Sequence, residues 1–235
     1  MNFAARSTLP ERMETGCAGY EEYRRCLRDL SRVNFVTMTY RPGLSWLARA
    51  SRGLNTISVL DVACGYGDML RRIRRWSRRR KLEARLEGVD LHPWSVQAAA
   101  EATTDEDQIT YHSANIFEFE PPEPFDFIIS SQFAHHLTNE QIVLFIQWME
   151  RHARRGWFIG DLHRHWFPYY GFGLLGLVTG WHPIVRSDGQ ISIARSFVSA
   201  VWQLLLKAAD VPLDAVTVTW HVPFRLCVSR LCSRP

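Results

Sequence analysis

The sequence predicts an α/β domain in which a mostly parallel sheet is covered by helices on both faces. Three observations carry that prediction. Residues 57–62 form a short β-branched apolar run that leads into Gly65 and Gly67, and a helix-periodic stretch follows at once, so the order is strand, tight turn, helix. Residues 125–130 are apolar almost throughout, as a central parallel strand buried on both faces must be. Apolar runs of strand length alternate with helical patterns as far as residue 162, the signature of successive crossover units.

Taken in order, residues 1–15 are polar and mixed and read as partly disordered. Tyr23, Cys26, Leu27, Leu30 and Val33 recur at helical spacing, predicting an amphipathic helix over residues 20–39 that Arg41, Pro42 and Gly43 should break before a second helix at 44–50. After the strand at 57–62, a helix over 68–80 turns Met69, Leu70, Ile73 and either Trp76 or Ser77 to the sheet. Residues 86–91 read as the second strand, 93–102 as an alanine-rich helix, 109–111 as the third strand and 125–130 as the fourth. Thr138 and Gln141 carry a capping-box signal for a helix running to about residue 153, and the fifth strand spans 156–162. Residues 163–195 interrupt this rhythm with His163, His165, Trp166, Phe167, Tyr169, Tyr170 and a glycine-spaced apolar segment, and form a lid insertion in which 186–189 reads as a turn. A helix at 197–209 and an antiparallel pair, 215–220 and 224–230, close the chain and bring the strands to seven. The division expected is a helical cap segment, 1–50, ahead of the main domain, 51–235.

Composition sets limits on function. The 235 residues are 46% hydrophobic, enough for one substantial core. The net charge of +4 is modest, and the basic excess gathers in residues 71–81, which read as the solvated face of a helix. With one aromatic in that run, stacking platforms for bases are scarce, and no nucleic-acid partner is expected. The five cysteines fit neither a disulfide framework nor paired zinc ligands, so the thiols are expected reduced and the protein cytoplasmic, with no metal. The longest apolar stretch, 166–181, holds four glycines and a proline, which argues against a transmembrane span but leaves contact with a membrane or an apolar substrate open. No Gly-x-x-x-x-Gly-Lys occurs, which excludes phosphate-loop chemistry.

The chemistry is carried by the strand ends. Gly65 and Gly67 let the main chain approach a bulky ligand, and Asp61 can orient that turn or accept from a cation. Asp90 ends the second strand about 20 residues on, where a carboxylate can receive both hydroxyls of a ribose. Gln132, Phe133, His135 and His136 follow the fourth strand and fall at the carboxyl edge by topology. Ala63 should keep a negative φ, since its Cβ disfavours the left-handed region.

With Val59-Leu60-Asp61-Val62-Ala63-Cys64-Gly65-Tyr66-Gly67, Gly88-Val89-Asp90 and residues 125–131 running into His135-His136-Leu137, the chain resembles the class I S-adenosylmethionine-dependent methyltransferases, and in particular small-molecule enzymes of quinone and polyketide tailoring. The resemblance implies a Rossmann-like, seven-stranded sheet and S-adenosylmethionine as cofactor, with S-adenosylhomocysteine as product. It implies cofactor contacts from Asp61, Ala63, Cys64, Gly65, Gly67, Asp90, Leu91, Asn115, Ile116, Ser131 and Gln132; Asn115 stands where the family commonly has aspartate. It places Asn34, Tyr40, Arg41, His135, His163 and Tyr169 against the acceptor. For a phenolic or enolic acceptor a neutral histidine can take the proton, with His135 first and His136 and His163 behind it. The acceptor implied is a small aromatic or polyketide-like molecule methylated on oxygen, by a monomer or homodimer. Carbon methylation of a quinone precursor, methylation of RNA or protein through the basic helix, and a non-catalytic cofactor-binding scaffold are the alternatives.

Overall fold

A computed structural model describes residues 3–15 and 19–232. Helix α1 spans Arg12–Thr15, α2 Tyr20–Val36 and α3 Tyr40–Ala50. The alternating core follows as β1 Thr56–Val62, α4 Asp68–Arg79, β2 Glu83–Asp90, α5 Pro93–Glu101, β3 Ile109–Ser113, β4 Phe125–Ser131, α6 Asn139–His152 and β5 Ala153–Leu162. Helices α7 Trp166–Thr179 and α8 Pro183–Arg195 form the insertion, and α9 Ser199–Ala208, β6 Val216–His221 and β7 Arg225–Leu231 complete the chain.

The seven strands run in the order β3-β2-β1-β4-β5-β7-β6. The first five are parallel to one another, and β7 lies antiparallel between β5 and β6. Strand order reverses between β1 and β4, and the crevice beyond that switch point is where ligands of open α/β sheets bind. Strand periodicity divides the core. Leu60 and Val62 of β1 turn to one face with Ile142, Phe145 and Trp202 of α6 and α9. Ile57 and Val59 turn to the other with Trp46, Leu70 and Ile73 of α3 and α4. The capping box of Thr138 and Gln141 is formed as the sequence indicates.

Four local expectations are corrected. The segment before α1 is not a loose tail: Ser7 N–H reaches Ala194 O, and the Arg6 guanidinium donates to the carbonyls of His135, Leu137 and Arg195. Residues 41–43 do not break a helix but lie in the first turns of α3, where Pro42 has no intrahelical N–H partner to lose. Residues 186–189 are not a turn. They lie inside α8, started by His182 as N-cap and Pro183 behind it. Gly189 serves packing there, since a Cβ would stand 2.1 Å from the Phe172 ring of α7. Finally, Ala63 adopts φ 58, as does Gln132 at φ 57, so both residues after the central strands occupy the left-handed region despite their side chains.

The arginines of α4 are largely spoken for. Arg74 is buried and donates to the carbonyls of Asp107 and Gln108. Arg71 binds Tyr66 O, Arg72 lies 4.0 Å from the Tyr40 ring centroid, and Arg78 pairs with Asp107. Cys26, Cys64, Cys227 and Cys232 are in no disulfide; Cys17 lies outside the described residues.

Candidate active site

The turn after β1 is held by Asp90. One of its oxygens accepts the Gly65 N–H at 2.9 Å and the other the His92 N–H at 2.9 Å, so the acid at the end of β2 ties two strand ends together. Gly65 at φ 51 and Gly67 at φ 69 sit in the left-handed region, and a Cβ on Gly67 would stand 2.3 Å from the Tyr111 hydroxyl. Asp61 beneath the turn is 2% exposed. Burial, then the neighbouring Asp68 and Asp90, hold its carboxyl well above the usual range. Burial also raises Asp90, against the backbone donors of His92 and Gly65. Three carboxylates thus converge where a cation would relieve their mutual repulsion.

Asp61, Gly65 and Asp68 border a cleft of about 160 Å³ at the carboxyl ends of β1 and β4, roofed by α2 and the start of α3. The Tyr40 hydroxyl hydrogen-bonds Asp68 and Ser31 O, and Gln132 donates its amide to Asn34, which ties α2 to the end of β4. A positive φ at Gln132 turns its N–H to Gly160 O, 2.8 Å away on β5.

On the far wall His135 is buried between two carboxylates. Its Nδ1 lies 2.8 Å from Asp161 Oδ1, its backbone N–H donates to Asp161 Oδ2 at 3.0 Å, and its Nε2 lies 3.5 Å from Glu11 Oε1. Glu11 also accepts from Ser192 at 2.7 Å and stands 3.9 Å from His136 Nε2. Burial alone would lower the His135 pKa, but Asp161 and Glu11 outweigh it and push it up to about 9. For Glu11 burial opposes ionisation, and the hydrogen bond and charge of His135 hold it down to about 2. The two flanking carboxylates thus favour the protonated imidazole of His135, against its expected role as neutral proton acceptor. The ligand atoms of Glu11, His135 and His136 lie within 4.8 Å of one another, so two imidazoles and a carboxylate could hold a divalent ion if the His135 Nε2 proton left.

Glu11, Leu30, Gln132 and Ser192 also border a second, apolar chamber of about 310 Å³, walled by α2, α7, α8 and the approach to β7. His163 lines it with Leu162, Phe167, Phe172 and Phe224. Burial, then His165 and Arg164, lower the His163 pKa, so this imidazole is neutral where His135 is charged. Its Nδ1 is buried without a hydrogen-bond partner. A larger concavity of about 380 Å³, between charged residues of α2 and His182, shares no lining residue with the cleft or the chamber.

Of the residues singled out from sequence, Asn34, Tyr40, Asp61, Ala63, Cys64, Gly65, Ser131, Gln132, His135 and His136 meet in the cleft and His163 in the chamber. Gly67 and Asp90 shape the turn behind it. Leu91 is exposed beside Asp90. Asn115 closes a local turn, accepting the Phe117 N–H and donating to Glu118, while Ile116 is in the core. Arg41 is exposed against Met38, and Tyr169 packs on Phe3 and Tyr170, so neither borders the chamber. Sequence reasoning missed Glu11, Asp68, Asp161 and Ser192. Asp161 could have been found, since it stands at the carboxyl end of the fifth strand; Glu11, in a segment without periodicity, carried no signal.

The donor set suits a cationic nucleoside: a glycine turn for close approach, an acid at the ribose position, and Asp61 and Asp68 in the cleft wall for a sulfonium and ammonium. Residues 59–156 match a family model described as a methyltransferase domain. Comparison with curated protein sequences gave no match. Among solved structures, magnesium protoporphyrin IX methyltransferase from Synechocystis PCC 6803 with bound S-adenosylmethionine is 13% identical at a TM-score of 0.61, over 97% of this chain and 100% of that one. The plantazolicin methyltransferase BpumL in complex with S-adenosylhomocysteine is 15% identical at 0.59, over 95% and 90%. Human N-acetylserotonin methyltransferase reaches 0.64 at 12% identity, over 92% of this chain but 57% of that one. At such identities the likeness is one of fold.

Proposed function

We propose that the chain is a class I S-adenosylmethionine-dependent methyltransferase, and that it methylates an oxygen of an aromatic, phenolic or polyketide-like small molecule held in the apolar chamber. The observation that carries this reading is the shared wall of cleft and chamber at Glu11, Leu30, Gln132 and Ser192, which sets a donor and an acceptor side by side. When bound, the cofactor supplies a methyl already activated on a sulfonium, so the protein's task is mostly to align the nucleophile. Asp90 receives the ribose hydroxyls, the Gly65 turn lies against the nucleoside, and Asp61 and Asp68 face its cationic end. Helix α2 and the segment before α1, within the cap of residues 1–50, exclude water above it.

His163 fits the acceptor's proton better than His135 does. It is neutral, borders the apolar chamber and keeps an unpaired Nδ1, whereas His135 already holds its proton between Asp161 and Glu11. The imidazolium of His135 instead fixes Glu11 in the wall between the two spaces. The test is incubation with methyl-labelled cofactor and a panel of phenols, enols and apolar amines. Label on phenolic oxygen supports the reading; label confined to carbon or nitrogen, or to none of the panel while cofactor binds, refutes it.

A further inference from the structure

Helix α7 is apolar around its whole circumference. Its 14 residues include no charged side chain. One face, with Phe172 and Leu175, packs on α2 and α8 and lines the chamber. The opposite face presents Trp166, Tyr170, Leu174, Leu177 and Val178 at 56% to 80% exposure. A helix without a polar face is normally buried in protein or in lipid, and this one is covered on one side only.

The exposed apolar surface does not end with α7. Phe35, Val36 and Met38 at the end of α2, and Trp220 and Val222 at the turn between β6 and β7, are exposed as well. These are the elements that wall the chamber: Val36, Phe167 and Pro223 line it, and Val36 and Phe167 are also more than half exposed, so the chamber opens among them. An apolar rim from three separate parts of the chain thus surrounds the mouth of an apolar cavity. The rim segments, residues 33–41, 162–182 and 215–225, contain no Asp or Glu, while Arg41 is exposed at the edge and Arg72 lies 5.2 Å from the Phe35 ring centroid. Tryptophan and tyrosine on such a rim are the side chains that settle at headgroup depth.

The geometry points to an anionic lipid surface as what covers this face, with α7 lying in the plane of the headgroups and the chamber mouth opening onto the bilayer. No helix among the described residues is long and apolar enough to cross a membrane, so the contact is interfacial. The carboxylate-free rim and its flanking arginines favour anionic headgroups. A second copy of the chain seated on the same face would close the chamber, whereas a lipid surface leaves a route for an apolar acceptor dissolved in it. The inference rests on the chamber being the acceptor site and narrows the acceptor to a lipophilic molecule with a methylatable ring or enol head.

The test uses the full chain and sedimentation with vesicles of phosphatidylcholine alone or mixed with phosphatidylglycerol. Leu174→Glu with Val178→Glu places two carboxylates on the exposed face without touching the chamber lining. The wild type should sediment with the mixed vesicles, and the double variant should lose at least about tenfold in partitioning. The variant's melting temperature and S-adenosylmethionine affinity should be unchanged. No sedimentation of the wild type with either vesicle, or equal sedimentation of the variant, would overturn the proposal. So would a wild-type dimer that the variant dissociates in the absence of vesicle binding, which would assign the face to a second copy. Cofactor heat without vesicle binding removes this proposal alone; vesicle binding without cofactor heat removes the methyltransferase reading and the delivery role with it.

Discussion

Replacing Glu11 by glutamine removes one charge from the buried triad while leaving its shape and its bond from Ser192 in place. The native carboxyl titrates at about 2 against an ordinary 4.5, and the His135 imidazole at about 9 against 6.5. Each displacement corresponds to roughly 3 kcal/mol, but they are not summed, because the Glu11–His135 contact enters both and the His135 rise owes more to Asp161 than to Glu11. The depressed Glu11 pKa gives stability that is present above about 4.5 and lost as pH falls towards 2. The raised His135 pKa gives stability that is present below about 6.5 and lost as pH rises through about 9. Between those limits Glu11→Gln should therefore lower unfolding free energy by about 3 kcal/mol, and the deficit should shrink above pH 9, where the wild type loses the same pairing. Urea denaturation of both proteins at pH 6 and pH 9.5 measures this directly. A deficit below about 0.5 kcal/mol at pH 6, or one that is the same at both pH values, would refute the ion-pair account.

Asp90→Ala should weaken S-adenosylmethionine binding by roughly 1–3 kcal/mol, read by calorimetry, since it removes the ribose acceptor and frees the Gly65 N–H; unchanged affinity would contradict the assignment. Ala63→Gly should raise stability by up to about 1 kcal/mol, the relief of a Cβ at φ 58 less the entropy of a glycine, as judged by thermal melts. His163→Gln should slow turnover on a phenolic acceptor by about 10²-fold without changing cofactor affinity. In the wild type the rate should fall only below pH 6.5, because burial lowers the His163 pKa. A rate that already falls as pH drops below about 9 would point back to His135.

The parallel core was legible because each of its strands is a local apolar run with a turn behind it. The run at 57–62 and the nearly unbroken 125–131 leave little choice of structure. The insertion was harder. Residues 186–189 have a turn's composition, yet tertiary packing decided the outcome: Asp188 accepts the N–H groups of Arg12 and Met13, and Gly189 admits Phe172. The glycines, Asp61, Asp90 and the histidines of the site could be placed because topology sets strand ends at one edge. Glu11 could not, since what buries it is His135 and Ser192, more than a hundred residues away and invisible to any local pattern. Ala63 shows the reverse error, in which a sound preference for negative φ yields to a turn that Asp90 and the strand ends hold from outside.

Titration of the protein with S-adenosylmethionine by calorimetry across pH tests the central claim most directly. Burial and like charge hold Asp61 above its ordinary pKa, so a cation bound beside it should release protons, and affinity should rise with pH while that carboxyl ionises. The account predicts saturable one-site binding with that pH dependence, weakened in Asp61→Asn. Absence of binding heat, or an affinity indifferent to both pH and Asp61, would contradict it.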